Sequence, residues 1–309
     1  HKDTDADRVT VSADEDTRRC QAEPEDNVGK SCTNVPANAM TADRPKVLIK
    51  LRAMASEPPP DGHTRCYGSL DLSNFSTGMP SKVIKWTSEV LHDFYDTSHL
   101  PGDYGGIFSF IDEAMRNSVM TMTRGGLKFV CFPNRLNDYE GVRGKQNTLM
   151  HAVLWYLARC EMTEVEGTMT ALIFIDDGTF RLFLRNENYD YLRRYVKRTL
   201  KEVYTMYGFD LNLQKTMFNR HQYQFLNEKY IKGIHIGYGG RALYHVAAQP
   251  IGLLVSPKDE LNVIASGIRG SLECGGHTVR MLYAVASLVH LWVSRGIGRH
   301  GGILSKMGS

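Results

Sequence analysis

The sequence predicts an α+β fold in which an antiparallel sheet packs against helices. Stretches with the two-residue alternation of strands are mixed with stretches of helical spacing, and two of the strand-like stretches form hairpins near the middle of the chain. A doubly wound parallel sheet would instead alternate regularly between strand and helix. With 309 residues, 42% of them hydrophobic, the chain is long enough for one large domain or two ordinary ones.

Residues 1–44 are polar and lack apolar periodicity, so we expect them to be disordered or to act as a linker. Ten acidic and six basic side chains give residues 1–45 a net charge of −4, which leaves +7 on the remainder of a chain whose total is +3. A basic body fits a polyanionic partner. The six cysteines include no C-x-x-C pair, which argues against a zinc site and favours a reduced, intracellular compartment. No apolar run reaches eighteen residues, so no membrane segment is expected.

Order is expected to begin at Pro45. Lys46–Arg52 alternates basic and apolar residues, as a half-exposed strand does. The elements predicted before the central hairpin are strands over 46–52 and 66–72, helices over 80–95 and 107–122, a strand over 127–133 and a helix over 145–160. The elements predicted from there on are a hairpin over 170–184, a helix over 189–207 ended by Gly208, a strand or turn over 211–218, a hairpin over 223–246 that turns at 238–241, and helices over 258–266 and 278–293.

Two adjacent carboxylates, Asp176 and Asp177, lie between two apolar, β-prone runs. The Asp-Asp-Gly sequence predicts the tight turn of a hairpin, which places both aspartates at the end of a rigid support. Adjacent like charges repel unless a cation neutralises them, and a hard divalent ion such as Mg²⁺ prefers carboxylate oxygens. The alternative is a solvated turn without a ligand.

A third carboxylate is needed if the pair is to organise two metal ions. Asp71 is the best candidate because it ends an apolar strand. With Asp176 and Asp177 it would hold two Mg²⁺ ions roughly 3.5–4 Å apart, as in-line phosphoryl transfer requires. Its other interpretation is a helix N-cap.

The order of these features resembles the palm of viral RNA-dependent RNA polymerases, over roughly residues 45–255. The stretches similar to the family's motifs A to E are Asp71–Ser76, Glu140–Asn147, Phe174–Gly178, Asn212–Thr216 and Phe225–His245, and Lys46–Arg52 is similar to the basic motif F. Each motif alone is a weak signal, and their common order makes a strong one.

The resemblance implies that Asp71 and Asp176 are the main ligands of two Mg²⁺ ions, which Mn²⁺ can replace, and that Asp177 assists. It implies that Lys215 protonates the leaving pyrophosphate or stabilises its charge. The bland alternative for Lys215 is a solvated lysine.

The resemblance also assigns residues to the nucleotide and to RNA. Lys46, Lys50 and Arg52 would bind the triphosphate, Ser76 would contact the ribose 2′-OH, Gln146 and Asn147 would contact template or ribose, Gly141 and Gly144 would let the loop flex, and Tyr238, Gly239, Gly240 and Arg241 would hold the primer end. The start of the motif B helix would favour an anionic partner. The alternatives are a solvated strand face for the basic residues and ordinary turns for the glycines.

The chain departs from the family pattern at three places. Ile175 stands where positive-strand enzymes have the Gly of Gly-Asp-Asp, which is similar to the Ile-Asp-Asp of qinvirus-like, negative-strand-related polymerases. Motif B lacks the Ser-Gly-x-x-x-Thr pattern. Ser76 stands where motif A often has Asp or Asn, five residues after Asp71.

Three other functions are compatible with these residues. A reverse transcriptase has an aromatic-x-Asp-Asp motif like Phe174–Asp177, but it needs a bulky residue where the small Ser76 stands. A non-catalytic RNA-binding palm remnant would not need to retain Asp71, Asp176, Asp177 and Lys215 together. A metal-dependent nuclease would not need the basic stretch or the second hairpin.

The resemblance divides the chain into residues 1–44, a fingers-derived motif F region over 45–70, a palm over 71–255 with a fingers insertion at about 96–133, and the start of a helical thumb over 256–309. The expected partners are RNA template and product, nucleoside triphosphates and the remaining polymerase domains or other viral replication proteins. The expected location is the host cytoplasm, or the virion. The chain is expected to be a piece of a longer protein that does not act alone.

Overall fold

The computed structural model describes residues 15–73, 75, 78–95, 119–124, 127–133, 143–167, 169–226 and 228–236, with isolated residues between 108 and 117 and between 262 and 290. The chain divides into two compact units, His1–Phe225 and Leu226–Ser309. The described elements confirm a mixed α+β protein with antiparallel sheets. None of the described helices is long and apolar enough to cross a membrane.

The described helices of the first unit are α1 (Glu15–Cys32), α2 (Arg44–Ser56), α3 (Ser81–Tyr95), α4 (Gly144–Glu161) and α5 (Tyr189–Met206). Its strands are β1 (His63–Leu70), β2 (Leu72–Ser73), β3 (Val119–Arg124), β4 (Leu127–Pro133), β5 (Thr170–Phe174), β6 (Asp177–Arg185), β7 (Asp210–Leu211), β8 (Met217–Asn219) and β9 (Gln222–Phe225). The strand predicted over 127–133 and the helices predicted over 80–95, 145–160 and 189–207 are confirmed. The helix predicted over 107–122 is wrong at its end, because Val119 already lies in β3.

The main sheet has the order β5-β6-β1-β8, and each neighbouring pair is antiparallel. Strands β1 and β5 are therefore parallel with β6 between them, and β6 and β8 are parallel with β1 between them. Helix α4 precedes the β5–β6 hairpin, and α5 connects β6 to the β7–β8 segment. This chain order, β-α-β-β-α-β, is that of a split βαβ arrangement.

One face of the sheet packs against α4 and α5. Gly68 of β1 lies opposite Phe180 of β6, whose ring stacks on Trp155 of α4 at 4.6 Å between centroids. A Cβ at position 68 would lie 2.1 Å from the Phe180 ring, so only glycine fits there. Leu200 and Tyr204 of α5 are fully buried in the same core.

Helix α2 packs against residues of the opposite face. The Tyr67 hydroxyl donates to the Met54 carbonyl at 3.3 Å, and the Tyr223 hydroxyl of β9 donates to the Leu51 carbonyl at 2.6 Å. Arg181 is buried here, with its guanidinium 2.6 Å from the half-exposed carboxylate of Glu57.

Residues 15–43, predicted to be disordered or a linker, are ordered: α1 packs against α4, and Ala37–Ala39 forms backbone hydrogen bonds with Ile173 of β5, so it covers the outer edge of that strand. Residues 45–70, predicted as a fingers-derived region, contain α2 and β1, and β1 is paired on both sides inside the main sheet; their origin in a fingers region stays a prediction. Long-range contacts, which local patterns do not show, fix both segments. The predictions for 1–14 and for the fold of 256–309 lie outside the described stretches.

Near its start, the second unit contains a hairpin of β10 (Glu228–Ile231) and β11 (Ile234–Ile236). Its turn is Lys232-Gly233, where φ is +52° and +80°, the pair of positive values that a type I′ turn requires. The prediction of one long hairpin turning at 238–241 is therefore wrong. Glycine at the second turn position allows the chain to reverse earlier than the Gly-Gly sequence suggested.

Candidate functional site

The three predicted carboxylates lie at one end of the main sheet. The register of β1 and β6 ends with Leu70 opposite Gly178, and its continuation places Asp71 opposite Asp177. Asp176 precedes Asp177 in the turn of the β5–β6 hairpin, which we call the acidic hairpin (Thr170–Arg185). Like charges opposite each other on neighbouring strands destabilise a sheet, which makes this end of the sheet the candidate site to examine.

The turn of the acidic hairpin is displaced from its predicted position. Phe174 pairs with Asp177, so the two turn residues are Ile175 and Asp176, and Gly178 already lies inside β6. Gly178 serves packing instead: a Cβ there would lie 3.1 Å from the Leu70 side chain and 3.4 Å from the ring of His151. The prediction that Asp-Asp-Gly forms the turn is wrong because the close approach of Leu70, rather than backbone conformation, requires the glycine.

Ile175 has a φ of +52°, which a β-branched residue rarely adopts. Such a conformation costs about 1–3 kcal/mol and persists only where the surroundings impose it. Both backbone polar groups of Ile175 are bound by α4. Its N–H donates to Thr148 Oγ1 at 2.9 Å, and its carbonyl accepts a hydrogen bond from His151 Nδ1 at 2.7 Å. We call Thr148 and His151 the α4 clamp.

The α4 clamp is fully buried. The Thr148 hydroxyl also donates to the Gly144 carbonyl at 2.8 Å, and the His151 ring lies 5.7 Å from the rings of Phe75 and Tyr204. Because a carbonyl only accepts, His151 Nδ1 carries its proton, and Nε2 has no hydrogen-bond partner among the described residues. Burial lowers the pKa of His151 to about 4, so the ring is neutral at pH 7.

The turn that carries Lys215 is hydrogen-bonded to Asp71. The Asp71 N–H donates to Thr216 Oγ1 at 3.2 Å, and its carbonyl accepts from the Asn212 N–H at 2.9 Å. The Asn212 side chain accepts from the N–H of Lys215 at 3.2 Å, which closes the turn. The fold thus brings the Lys215 turn to the same sheet end as the aspartates.

The donor chemistry of this sheet end fits Mg²⁺, since the ion is commonly held by one or two carboxylates with water and phosphate oxygens completing its shell. Within the described stretches, no three His, Cys, Asp or Glu side chains are gathered into a metal site. The predicted three-carboxylate cluster is therefore not assembled in this structure. The backbone places Asp71 and Asp177 at the ends of β1 and β6, with Asp176 next to Asp177 in the hairpin turn.

Lys46, Lys50 and Arg52 lie on helix α2, so the predicted strand over 46–52 is wrong. Its buried residues are Val47, Leu51, Met54 and Ala55, at the spacing of a helix, and proline occupies its first turn. Lys46 lies 3.3 Å from the Asp43 carboxylate and Lys50 donates to the Pro36 carbonyl at 3.0 Å. At 100° per residue, Arg52 lies on another side of the helix from Lys46 and Lys50, so the three do not form one basic stripe.

The start of α4 is occupied by a carboxylate of this same chain. Glu25 of α1 accepts hydrogen bonds from the backbone N–H groups of Lys145 at 2.9 Å and Gln146 at 3.3 Å. Burial raises the pKa of Glu25, although these hydrogen bonds oppose the shift. The Gln146 and Asn147 side chains are buried. The prediction that they contact template or ribose is therefore wrong for this conformation, because α1 covers the helix start that was expected to receive an anion.

Gly144 begins α4 and its carbonyl accepts from Thr148, so the prediction that it belongs to a flexing loop is wrong. The remaining predicted site residues lie outside the described residues. They are Ser76, Gly141, Tyr238, Gly239, Gly240 and Arg241.

Sequence reasoning missed the α4 clamp and Glu25. A signal for the clamp was present, because Thr148 and His151 are polar residues three positions apart in an otherwise apolar helix stretch. Glu25 carried no such signal, since it lies among other acidic residues of a polar segment. No family model matches the chain, and no curated protein matches it.

Proposed function

We propose that this chain carries the palm of a viral RNA-dependent RNA polymerase, which joins nucleoside triphosphates to the 3′-OH of RNA copied from an RNA template. The observation that carries the proposal is the meeting of Asp71, the acidic hairpin and the Lys215 turn at one end of an antiparallel sheet. These are motifs A, C and D of the resemblance, and they are far apart in sequence.

The topology supports the same proposal. Motif A corresponds to the end of β1, motif B to the start of α4, motif C to the acidic hairpin and motif D to the segment after α5. Helices α4 and α5 pack together behind the sheet, so the acidic end rests on a rigid core. A site on strand ends and tight turns holds its geometry better than a site on long loops.

In the proposed reaction, Asp71, Asp176 and Asp177 would hold Mg²⁺, and the bound ion would lower the pKa of the attacking 3′-OH and neutralise the leaving pyrophosphate. Lys215 lies on the turn fixed to Asp71 and supplies a positive charge or a proton to the pyrophosphate. The register suggests that Asp177, opposite Asp71, is as important a ligand as Asp176. RNA template, RNA product and nucleoside triphosphates are the proposed partners, together with further polymerase domains.

The first test is metal binding by the chain itself. Titration with Mn²⁺, followed by electron paramagnetic resonance, should reveal binding that Asp177→Asn weakens at least tenfold and that Asp61→Asn leaves unchanged, because Asp61 is an exposed acid outside the site. Absence of Mn²⁺ binding by the wild-type chain would favour a non-catalytic palm remnant.

The second test is RNA synthesis by the polypeptide that contains this chain. Asp176→Ala should reduce template-dependent incorporation of ribonucleotides by at least 100-fold while RNA binding persists. Incorporation near the wild-type level would contradict the assignment of Asp176 as a metal ligand. Preferential incorporation of deoxyribonucleotides would indicate a reverse transcriptase, and degradation of RNA without synthesis would indicate a nuclease.

A further inference from the structure

We propose that Thr148 and His151, the α4 clamp, are positioning residues that set the orientation of Asp176 and Asp177 for the metal ion. This inference rests on the proposed function, because it assigns the clamp a role at the proposed metal site. It starts from the single residue, Ile175, that links β5 to the two aspartates.

The α4 clamp binds the peptide groups on both sides of Ile175. Its N–H is held by Thr148 Oγ1 and its carbonyl by His151 Nδ1, at 2.9 and 2.7 Å. The Ile175 carbonyl belongs to the peptide group that leads directly into Asp176. A rotation of that peptide group would redirect the Asp176 carboxylate. The hydrogen bond from His151 to the Ile175 carbonyl therefore restrains Asp176, the next residue in the chain.

The conformation that the clamp restrains is one that Ile175 would not keep by itself. Its φ of +52° is the left-handed value that glycine adopts without cost and isoleucine does not. An ordinary hairpin would place Gly, Asn or Asp at such a position. The two hydrogen bonds to α4 therefore do more than satisfy polar groups: they hold the turn in a conformation that its own sequence opposes.

The clamp is suited to positioning because it is itself fixed. Both side chains are fully buried, Thr148 is anchored to the Gly144 carbonyl, and His151 is enclosed by the rings of Phe75 and Tyr204. A Cβ at Gly178 would lie 3.4 Å from the His151 ring, so β6 runs close to this side chain directly after the aspartates. His151 therefore lies beside the backbone both before and after the Asp-Asp pair.

The test compares four variants of the full 309-residue chain. Thr148→Val removes the hydrogen bonds to Ile175 and to the Gly144 carbonyl, and His151→Leu removes the one to Ile175, both at nearly constant volume. Thr148→Ser and His151→Asn keep a hydroxyl or an N–H donor near the same place. Circular dichroism first establishes that each variant is folded. The rate of amide hydrogen exchange at residues 175–177 then shows whether the clamp still restrains the turn. Titration with Mn²⁺ measures the metal affinity of the site.

We expect Thr148→Val and His151→Leu to increase exchange of the turn amides and to weaken Mn²⁺ binding about tenfold, the usual effect of losing a group that orients metal ligands. Thr148→Ser and His151→Asn should restore most of the affinity. If the wild-type chain binds Mn²⁺ and both Thr148→Val and His151→Leu bind it with unchanged affinity, the inference is overturned and the proposed function still stands. Failure of the wild-type chain to bind Mn²⁺ would refute the proposed function first and the inference with it.

If one of the two substitutions prevents folding, the other still tests the inference. A fifth variant tests whether Thr148 acts through the Ile175 peptide. Ile175→Gly removes the need for restraint, since glycine adopts the positive φ freely. In an Ile175→Gly background, Thr148→Val should weaken Mn²⁺ binding by much less than tenfold. An equal loss in both backgrounds would show that Thr148 acts through packing, not through the Ile175 peptide, and would overturn the inference.

Discussion

Lowering the pH from 7 to 5 should destabilise the protein by about 2 kcal/mol through His151 alone. In the unfolded chain the imidazole takes up a proton near its ordinary pKa of 6.5, whereas burial lowers the pKa in the folded state to about 4. The unfolded state therefore binds more protons between these two values, so folding stability falls as the pH falls through this window and is unaffected by His151 above it. One pKa unit corresponds to about 1.36 kcal/mol, and 1.5 units separate 6.5 from pH 5, which gives about 2 kcal/mol.

The assay is chemical denaturation at both pH values, with the free energy of unfolding extrapolated to water. Other groups titrate in the same range, so the quantity to compare is the pH-dependent change in each protein. Between pH 7 and pH 5, the free energy of unfolding of His151→Asn should fall by about 2 kcal/mol less than that of the wild type. Thr148→Val is the matched control: it also removes a hydrogen bond to Ile175 but carries no titratable group, so its pH-dependent change should equal that of the wild type. Identical pH dependence of His151→Asn and wild type would refute the buried, neutral assignment of His151.

The remaining predictions concern packing and backbone at three other positions, each measured as a change in the free energy of unfolding. Gly68→Ala should cost about 1–3 kcal/mol because its Cβ would overlap the ring of Phe180, whereas Gly29→Ala, whose Cβ would meet only a flexible lysine side chain, should stay within about 1 kcal/mol of wild type. Equal effects of the two would contradict the close packing of β1 on Phe180. Glu25→Ala should cost about 0.5–2 kcal/mol because it removes the acceptor that caps α4; an unchanged stability would show that the cap contributes nothing. Ile175→Gly should be more stable than Ile175→Ala, the reverse of the usual order, because only glycine relieves the positive φ; the usual order would contradict that backbone conformation.

The sequence was informative wherever an element depends on its own spacing. The acidic hairpin and helices α4 and α5 were predicted within a few residues, because their apolar runs or periodic faces are long. Side-chain type does not show which face of α3 is buried: Trp86 and Phe94 are 51% and 69% exposed, while the small polar Thr87 and Ser88 are buried. Apolar periodicity identifies a helix, but the neighbours decide which side is covered.

The predictions failed where tertiary contacts override local pattern. The basic alternation of Lys46–Arg52 suggested a strand, yet Val47 and Leu51 continue to Met54 as a helical stripe that packs against the sheet. In α1 the buried side consists of Gln21, Pro24, Val28, Gly29 and Cys32, at helical spacing but with three members that a hydrophobicity pattern does not count. Residues 15–32 therefore looked like a solvated segment, although their contacts with α4 order them.

The candidate site could be predicted in composition but not in its supporting structure. Asp71 and the Asp-Asp pair were identified because carboxylates at strand ends are a recognisable pattern, and the register of β1 and β6, which ends with Leu70 opposite Gly178, brings Asp71 and Asp177 to the same end of the sheet. The turn that carries Lys215 is held to Asp71 by a backbone hydrogen bond from Asn212. Asp71 and Asn212 are separated by 141 residues of sequence. No local pattern contains such a contact.

Ile175 connects these observations. Positive-strand RNA-dependent RNA polymerases, which the chain is proposed to resemble, have glycine at this position, and the positive φ found here is one that glycine adopts freely. Replacing glycine by isoleucine makes the turn unfavourable by itself, but it also adds a partly buried side chain that packs against the core around α4. The two hydrogen bonds from Thr148 and His151 then offset the backbone strain, and the same bonds reduce the freedom of the Asp176 peptide. Isoleucine before the acidic pair, together with the two hydrogen bonds from α4, therefore reaches the positive φ in a different way from glycine. Glycine permits the turn, whereas isoleucine with its α4 clamp holds it.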